Sequence, residues 1–315
     1  MRDDYSISMK TISSDTMTAA LTSCLAKMGE IVPDDGDLGF VISDLFPFYQ
    51  GNESTAPLFF FPRPFKIKLS DDVSEENAKR VKKVKWLEKS FFEQALSGCA
   101  LFSNSDIRKI RDGNEEYLCK EKITDKFVDT AGSQPTPRVV VPRNGVDDAV
   151  PFYMEKIVFK DYSGLYFIAE GNTTLLDKAM ELLKAEGIGT DRNVGNGFFE
   201  FEKPTTIDLN IPETGNSIVS LSNYIPSDYE ELSSMMQGDN LAYEFHRRGG
   251  WITTHPYNSL RKKYVYAFVP GSVFNAANAS GLVTKGKIVN LKPDNVNIDH
   301  EIWRSGKSIF LPIKL

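Results

Sequence analysis

Three histidines, three cysteines and one glycine-dense loop are where chemistry would have to reside in this 315-residue chain. His246, His255 and His300 stand apart from Cys24, Cys99 and Cys119, and none falls in an HExxH or CxxC pattern. Neither a zinc site nor a disulfide framework is spelled out, no cofactor is implied, and the odd, sparse cysteines fit a reducing cytosol. Gly187-Ile188-Gly189-Thr190-Asp191-Arg192-Asn193-Val194-Gly195-Asn196-Gly197 holds four glycines in eleven residues. Glycine there admits positive φ and close backbone approach, and exposed N–H groups in such a loop can cradle an anion. Arg192 and Asn193 add charge and hydrogen-bonding capacity suited to phosphate or bases. The loop lacks the Lys-Ser or Lys-Thr of a P-loop. It follows a helix and precedes a strand, the reverse of a dinucleotide fingerprint. The plain alternative, a tight helix-to-strand connection, stays open.

The formal charge of −6 is unevenly spread. Residues 241–315 hold eleven Lys and Arg against four Asp and Glu, whereas residues 1–240 are acidic overall. A polyanion responds to the local field, so the basic C-terminal part keeps nucleic acid in play. A second basic run, Lys79, Arg80, Lys82, Lys83, Lys85 and Lys89, reads first as a solvated helix face. Apolar residues at 41% and charged residues at 25% are ordinary for a folded domain, and the length suggests two domains. No apolar stretch is long enough for a membrane span, and the charged start, Met1-Arg2-Asp3-Asp4, lacks the apolar core of a signal peptide.

The elements that must position these residues follow from periodicity. Residues 14–29 read as a helix capped by Ser14 or Asp15. Met17, Ala20, Leu21, Cys24, Leu25 and Met28 form its apolar face and Gly29 its stop. A short strand fits Tyr5–Lys10 before it. The Phe- and Pro-rich stretch 40–69 reads as short strands joined by stiff turns, and 74–97 as partly helical. Residues 99–137, ending in Ser133-Gln134-Pro135-Thr136-Pro137, read as an insertion or long loop. Phe152–Lys160 and Leu165–Glu170 read as a hairpin turning at Asp161-Tyr162-Ser163-Gly164. Thr174–Ala185 reads as a helix, and Phe198–Phe201 as a strand after the glycine loop. With a strand and the first helix upstream, the order β-α-β-β-α-β matches a ferredoxin-like or RRM-like unit. Further strands at Ile218–Leu221, Leu241–Phe245, Tyr264–Val269, Lys287–Leu291 and Ile309–Ile313, with a helix near Tyr229–Met235, form a second, mostly β unit.

Four segments, in order along the chain, resemble one family. Ser14-Asp15-Thr16-Met17-Thr18-Ala19-Ala20-Leu21 resembles an SDTL-x-x-A-[IL] helix start. Phe46-Pro47-Phe48-Tyr49 with Phe61-Pro62-Arg63-Pro64 resembles a PF-and-FPKP stretch. Gly164-Leu165-Tyr166-Phe167, Gly187-Ile188-Gly189 and Gly195-Asn196-Gly197-Phe198 resemble a GLYF and GIGGKRSSGxGxF run. Arg304-Ser305-Gly306-Lys307 with Leu311-Pro312-Ile313 resembles an R-x-G-[KR]…LP[IV] ending. Together they resemble the RAMP superfamily of CRISPR proteins, and within it the fourth subunit of the Csm effector complex of type III-A. The loop departs from the pattern in being less basic, at Thr190-Asp191-Arg192-Asn193.

The resemblance implies an α+β fold of two ferredoxin-like RAMP domains, 1–203 and 204–315. The glycine-rich loop 187–197 and a thumb-like insertion around 99–137 would belong to the first. It implies a cytoplasmic, non-catalytic subunit that holds the 5′ handle of CRISPR RNA. Its implied partners are the large polymerase/cyclase-like signature subunit and backbone RAMP subunits, with target RNA met through the guide and no membrane. The candidate RNA contacts are Gly187, Gly189, Arg192, Asn193, Gly195 and Gly197 in the loop. Ser14, Asp15 and Thr16 join them as helix caps whose N-terminus can also face a phosphate. Arg143, His246, Arg247, Arg248, Lys262 (with Arg261 and Lys263 beside it) and Lys307 are candidate backbone contacts or plain surface charges. Trp251 and Tyr257 are either stacking or buried aromatics. Two other readings stand beside this one. One is a metal-independent ribonuclease of RAMP type using His255 or His246 as general base; the other is an assembly protein that touches only protein.

Overall fold

A computed structural model describes residues 8–52, 56–107, 110, 115–119, 129–142, 148–202 and 204–315. The first helix, α1 (Ser14–Lys27), buries Met17, Leu21, Cys24 and Leu25 on one face, and the chain leaves it through Gly29 at φ +79°. Three strands follow: β1 (Phe40–Ile42), β2 (Phe46–Tyr49) and β3 (Leu58–Pro62). Next come α2 (Glu75–Lys83), β4 (Trp86–Glu88), α3 (Lys89–Leu96), α4 (Asn104–Ile107) and β5 (Tyr117–Leu118). A long ribbon, β6 (Ala131–Val140) with β7 (Val150–Phe159), precedes β8 (Ser163–Tyr166), β9 (Ala169–Gly171) and α5 (Thr173–Glu186). The five strands β5-β4-β3-β2-β8 form one sheet, and β1 pairs separately with β9.

The C-terminal half contains β10 (Gly215–Ser220), α6 (Tyr229–Met235), β11 (Phe245–Arg248), β12 (Val265–Phe268) and β13 (Val273–Ala279). It ends with β14 (Val283–Lys285), β15 (Ile288–Asn290), β16 (Trp303–Ser305) and β17 (Ser308–Ile313). Its main sheet has the order β13-β10-β17-β14, and β11-β12 and β15-β16 are two-stranded ribbons. The chain is thus a mixed α+β protein. No helix of the described residues is long and apolar enough to cross a membrane.

Two larger cores, among five in the described residues, join its main elements. One lies between α1 and α5 over β1, from Met17, Leu21, Leu25, Phe40, Ile42, Leu176, Met180 and Leu183. The other joins Phe46, Phe61, Leu87 and Phe92 of the first half to Val219, Val273, Ile309 and Leu311 of the second. Each such fully buried side chain contributes roughly 1.5–3 kcal/mol. β17 is buried at every residue from Ser308 to Ile313, so the last strand is an interior one.

Several expectations are corrected. β7 pairs with β6 over ten residues and not with β8, which instead pairs with β2. The turn is Asp161-Tyr162, with Tyr162 at φ +56°, and it redirects the chain from the ribbon into the sheet, where Ser163 and Gly164 already belong to β8. Pro135 and Pro137 made β6 read as loop; in a two-stranded ribbon both strands are edges, where proline is tolerated. The stretch 99–137 is thus divided, its last residues, 131–137, belonging to the exposed β6–β7 ribbon. Leu101, Phe102, Ile107, Ile110, Tyr117 and Leu118 of that earlier stretch are buried. Phe198–Phe201 forms no strand, and Phe199 and Phe201 pack on the α1–α5 core. Ser8–Lys10 forms no strand, and the rest of the expected first strand lies outside the described residues. In the 241–245 stretch only an isolated bridge, Ala242 to Val273, precedes β11. Helices 173–186 and 229–235 and strands at 215–220, 265–268, 288–290 and 308–313 lie where the periodicity put them.

Candidate nucleic-acid interface

The N-terminus of α1 meets two strands from the other end of the chain. Asp15 is 1% exposed, and its carboxylate accepts hydrogen bonds from Arg248 Nε and Nη2, both at 2.7 Å, and from Arg304 Nη1 at 2.8 Å. Asn223 Nδ2 donates to it at 3.0 Å. Arg248 comes from the end of β11 and Arg304 from the middle of β16. Arg248 also donates to the Ser13 and Thr16 hydroxyls, and Arg304 to the carbonyl of Gly249. Ser13, not Ser14 or Asp15, is the N-cap residue, and its side chain makes no capping bond. Ser14 Oγ instead accepts from the backbone N–H of Asn223. The capping roles expected of Ser14 and Asp15 are corrected: both face the C-terminal half.

The electrostatics follow from that geometry. Burial alone would push the Asp15 carboxyl up, but Arg304 and Arg248 with their hydrogen bonds outweigh it and hold it at about 2. Asp44 keeps a partly exposed edge, yet the protein mass around its carboxylate pushes it up to about 7. Hydrogen bonds from Ser14 oppose that rise, and the Asp15 charge adds to it. Lys262 is pulled down to about 8 by burial and by Arg304, with Asp15 opposing. Among the described residues its ammonium has no ion-pair partner. Three cations thus surround one firmly ionised carboxylate at a helix N-terminus, where the peptide dipoles add further positive potential. The excess is positive, and Thr16, His246, Arg247 and Arg261 lie exposed around it.

The glycine loop lies elsewhere. α5 is capped by Asn172 and ends at Gly187, whose N–H bonds to Leu183 O at 2.7 Å. A 3₁₀ turn, Arg192–Val194, follows, with Asp191 and Gly195 in left-handed conformations at either end. Ile188 N–H donates to Gly197 O at 2.9 Å and clasps the loop shut. A Cβ on Gly197 would stand 2.0 Å from Ile188 O, so this glycine is required by contact as well as by its φ of +78°. Arg192 is partly tethered, to Gly187 O at 3.4 Å and beside Glu186 at 3.9 Å. Asn193 is exposed, and Asp191 is bridged at 2.7 Å by Arg138 from β6, so the projecting ribbon leans on this loop. Glu186 also pairs with Lys27, which puts the loop at the C-terminal end of α1. The cation cluster is at the other end, about 20 Å away along a helix rising 1.5 Å per residue.

The candidate residues therefore fall into separate groups. Ser14, Asp15, Thr16, Arg248 and Lys262 converge, with His246 and Arg247 on the same strand as Arg248. Gly187, Gly189, Arg192, Asn193, Gly195 and Gly197 form the second group. Arg248 is corrected from a free phosphate contact to a partner of Asp15. Lys307 likewise pairs with Asp37. Arg143 lies outside the described residues. Arg304 was visible in the sequence only as part of a motif, and nothing local marked it as buried. The run at 79–89 is offset by ion pairs of Arg80 and Lys83 with Glu115, Lys85 with Glu116 and Lys89 with Glu93. Tyr257 packs beside the small core of Ile252 and Leu291, and Trp251 lies under Arg261 at 4.8 Å.

Comparisons with known proteins agree with this arrangement of parts. Residues 213–313 match the model of the CRISPR Csm4 C-terminal domain. The chain is 26% identical over 294 residues to the CRISPR system Cms protein Csm4 of Mycobacterium tuberculosis (strain CDC 1551 / Oshkosh), covering 89% of this chain and 86% of the relative. It is 26% identical over 291 residues to the protein of the same name from Thermococcus onnurineus (strain NA1), covering 88% and 81%. In fold it is similar to a chain of the Csm3-Csm4 subcomplex of the type III-A CRISPR-Cas interference complex (TM-score 0.63, 15% identity, 96% of this chain and 94% of that one). It is also similar to a chain of the Csm1-Csm4 cassette in complex with pppApA (TM-score 0.55, 19% identity, 97% and 96%). The C-terminal third of the chain thus matches the Csm4 family model, and the whole chain is similar in sequence to Csm4 proteins over nearly its full length and shares their fold.

Proposed function

We propose that this chain is a non-catalytic, RNA-gripping subunit of a cytoplasmic type III-A CRISPR effector complex, and that it holds the single-stranded 5′ handle of the CRISPR RNA. The observation that carries the reading is the unbalanced cluster of Arg248, Arg304 and Lys262 around Asp15 at the start of α1. Single-stranded RNA is gripped by Lys and Arg and by aromatic faces, and this end of the molecule supplies both. The α1–α5 pair over β1 and β9 is the helix layer of a ferredoxin-like unit, and the glycine loop at its far end guides the strand onward. A Csm1-type large subunit and Csm3-type backbone subunits are the protein partners. The β6–β7 ribbon, with Val139, Val140, Val150 and Tyr153 exposed, takes the thumb role toward the guide–target duplex.

The test is photocrosslinking of a repeat-derived single-stranded RNA to the full chain and to the assembled complex, with salt titration. Lys262→Ala, and Arg192→Ala with Asn193→Ala, should each weaken binding and lower the salt slope by about one phosphate contact per cation removed. RNA occupancy unchanged in both, with crosslinks mapping only to protein, would establish the assembly-only reading. Cleavage of the RNA by the purified chain, lost in His246→Ala or His255→Ala, would establish the ribonuclease.

A further inference from the structure

The β11–β12 ribbon has two unlike faces. Its register sets Phe245 opposite Phe268, His246 opposite Ala267, Arg247 opposite Tyr266 and Arg248 opposite Val265. Side chains alternate along each strand, so His246, Arg248, Val265 and the buried Ala267 share one face while Phe245, Arg247, Tyr266 and Phe268 share the other, with Tyr264 two residues before Tyr266; Phe268, at one end of that face, packs on Tyr224, and the rest of it opens outward. Phe245, Tyr264 and Tyr266 are 55%, 62% and 56% exposed. Large aromatics so exposed on one ribbon face are unusual in a folded domain and mark a binding surface.

The face is cationic as well as aromatic. Arg247 lies over the Tyr264 ring at 5.1 Å, and the Arg261–Trp251 pair repeats the arrangement where an isolated bridge continues the ribbon. Residues 241–270 hold five Lys and Arg against one acid, Glu244. Phe245 and Tyr266 meet edge to face at 89°, and Tyr264 and Tyr266 at 84°. In each such contact the edge of one ring lies against the face of the other, yet all three rings stay more than half exposed, unlike the core pair Phe61 and Phe92, stacked at 4.5 Å and buried. An outward-facing set of rings interleaved with guanidinium groups, and with no aliphatic side chain among them, suits flat π-faced ligands on a polyanionic backbone.

We infer that the outer face of this ribbon, Phe245, Arg247, Tyr264 and Tyr266, is a stacking platform for unpaired RNA bases. The inference rests on the RNA reading above and extends it: Arg248 on the inner face belongs to the cation cluster at α1, and the outer face takes the bases of the same strand. Binding there is tolerant of base identity but requires bases, because a ring offers a face and not a hydrogen-bond code.

The experiment uses the full chain, a fluorescein-labelled single-stranded RNA of about ten nucleotides and an abasic ribose-phosphate oligomer of the same length. Wild type should bind the RNA well and the abasic oligomer far more weakly. Tyr264→Ala and Tyr266→Ala should each weaken RNA binding by about 5- to 150-fold while leaving the abasic oligomer unaffected. Tyr264→Phe and Tyr266→Phe, which keep the rings, should bind as wild type. These side chains are exposed, so the variants should keep the wild-type circular dichroism spectrum. Equal wild-type affinity for RNA and abasic oligomer overturns the platform and leaves the phosphate-gripping reading intact. Unchanged RNA affinity in the alanine variants, with loss of co-purification of a Csm1-type or Csm3-type subunit, overturns it in favour of a protein interface. Failure of wild type to bind either probe overturns both readings.

Discussion

Asp15 and Asp44, both acidic and both near the α1 N-terminus, are driven in opposite directions. Asp15 is held at about 2 because two arginines outweigh its burial, whereas Asp44 is pushed to about 7 because its burial, with the Asp15 charge, outweighs the Ser14 hydrogen bonds and the more weakly felt Arg248. A carboxyl raised on folding favours the protonated state, so Asp44's contribution is full at acid pH and is lost as pH rises through about 7. Asp44→Asn keeps an oxygen to accept the bonds of the Ser14 and Asn223 N–H groups, at 2.7 Å and 3.3 Å, without a charge. Urea unfolding should find this variant more stable than wild type at pH 8, with the gap narrowing as pH falls below about 7 and closing only near pH 4, where the unfolded carboxyl is protonated too. Lys262 gives a functional pH dependence of the other kind. Held at about 8, it loses its charge as pH rises through that value, so RNA affinity should fall between pH 7 and pH 9. Lys262→Arg should flatten that slope, because a guanidinium stays charged throughout; an identical slope in the variant would remove Lys262 from the contact.

The glycine loop is an element whose shape is fixed by close approach. Gly189 and Gly195 have open space where a Cβ would go, and only their positive φ resists substitution. Gly197 has no such space. Gly189→Ala and Gly195→Ala should therefore each cost about 1–3 kcal/mol or less, the range for a residue held in a rare backbone region. Gly197→Ala should cost more than either and open the Ile188–Gly197 clasp, which amide exchange at Ile188 would report. Equal cost at all three positions would mean that backbone strain alone, without the contact, governs the loop.

At the scale of the whole molecule, the two halves are bound twice over. Phe46 and Phe61 share a core with Ile309 and Leu311, and Asp15 is locked to Arg248 and Arg304 from far along the chain. Removing Asp15 leaves two arginines facing each other without their counter-ion. Asp15→Ala should destabilise the protein by about 3–5 kcal/mol, the usual cost of breaking a buried pair from one side. Phe61→Ala and Leu311→Ala should lower the midpoint of one shared unfolding transition. Two separate transitions, each shifted by one variant only, would show the halves to be independent.

The sequence by itself determined what depends on neighbours in the chain. The α1 and α5 faces, Gly29 as a stop, the α6 span and the strand at β17 follow from periodicity and capping, and the four ordered motifs carried the resemblance to Csm4 proteins. Tertiary structure decided what depends on distant partners. Pro135 and Pro137 hid a ribbon strand whose partner begins ten residues beyond it. Ser14 and Asp15, which resemble caps locally, were claimed by Asn223, Arg248 and Arg304. The positive charge of Arg248 and Lys307 could be counted from composition. Only the fold assigned Asp15 to the first and Asp37 to the second, and left Lys262 without an ion-pair partner among the described residues.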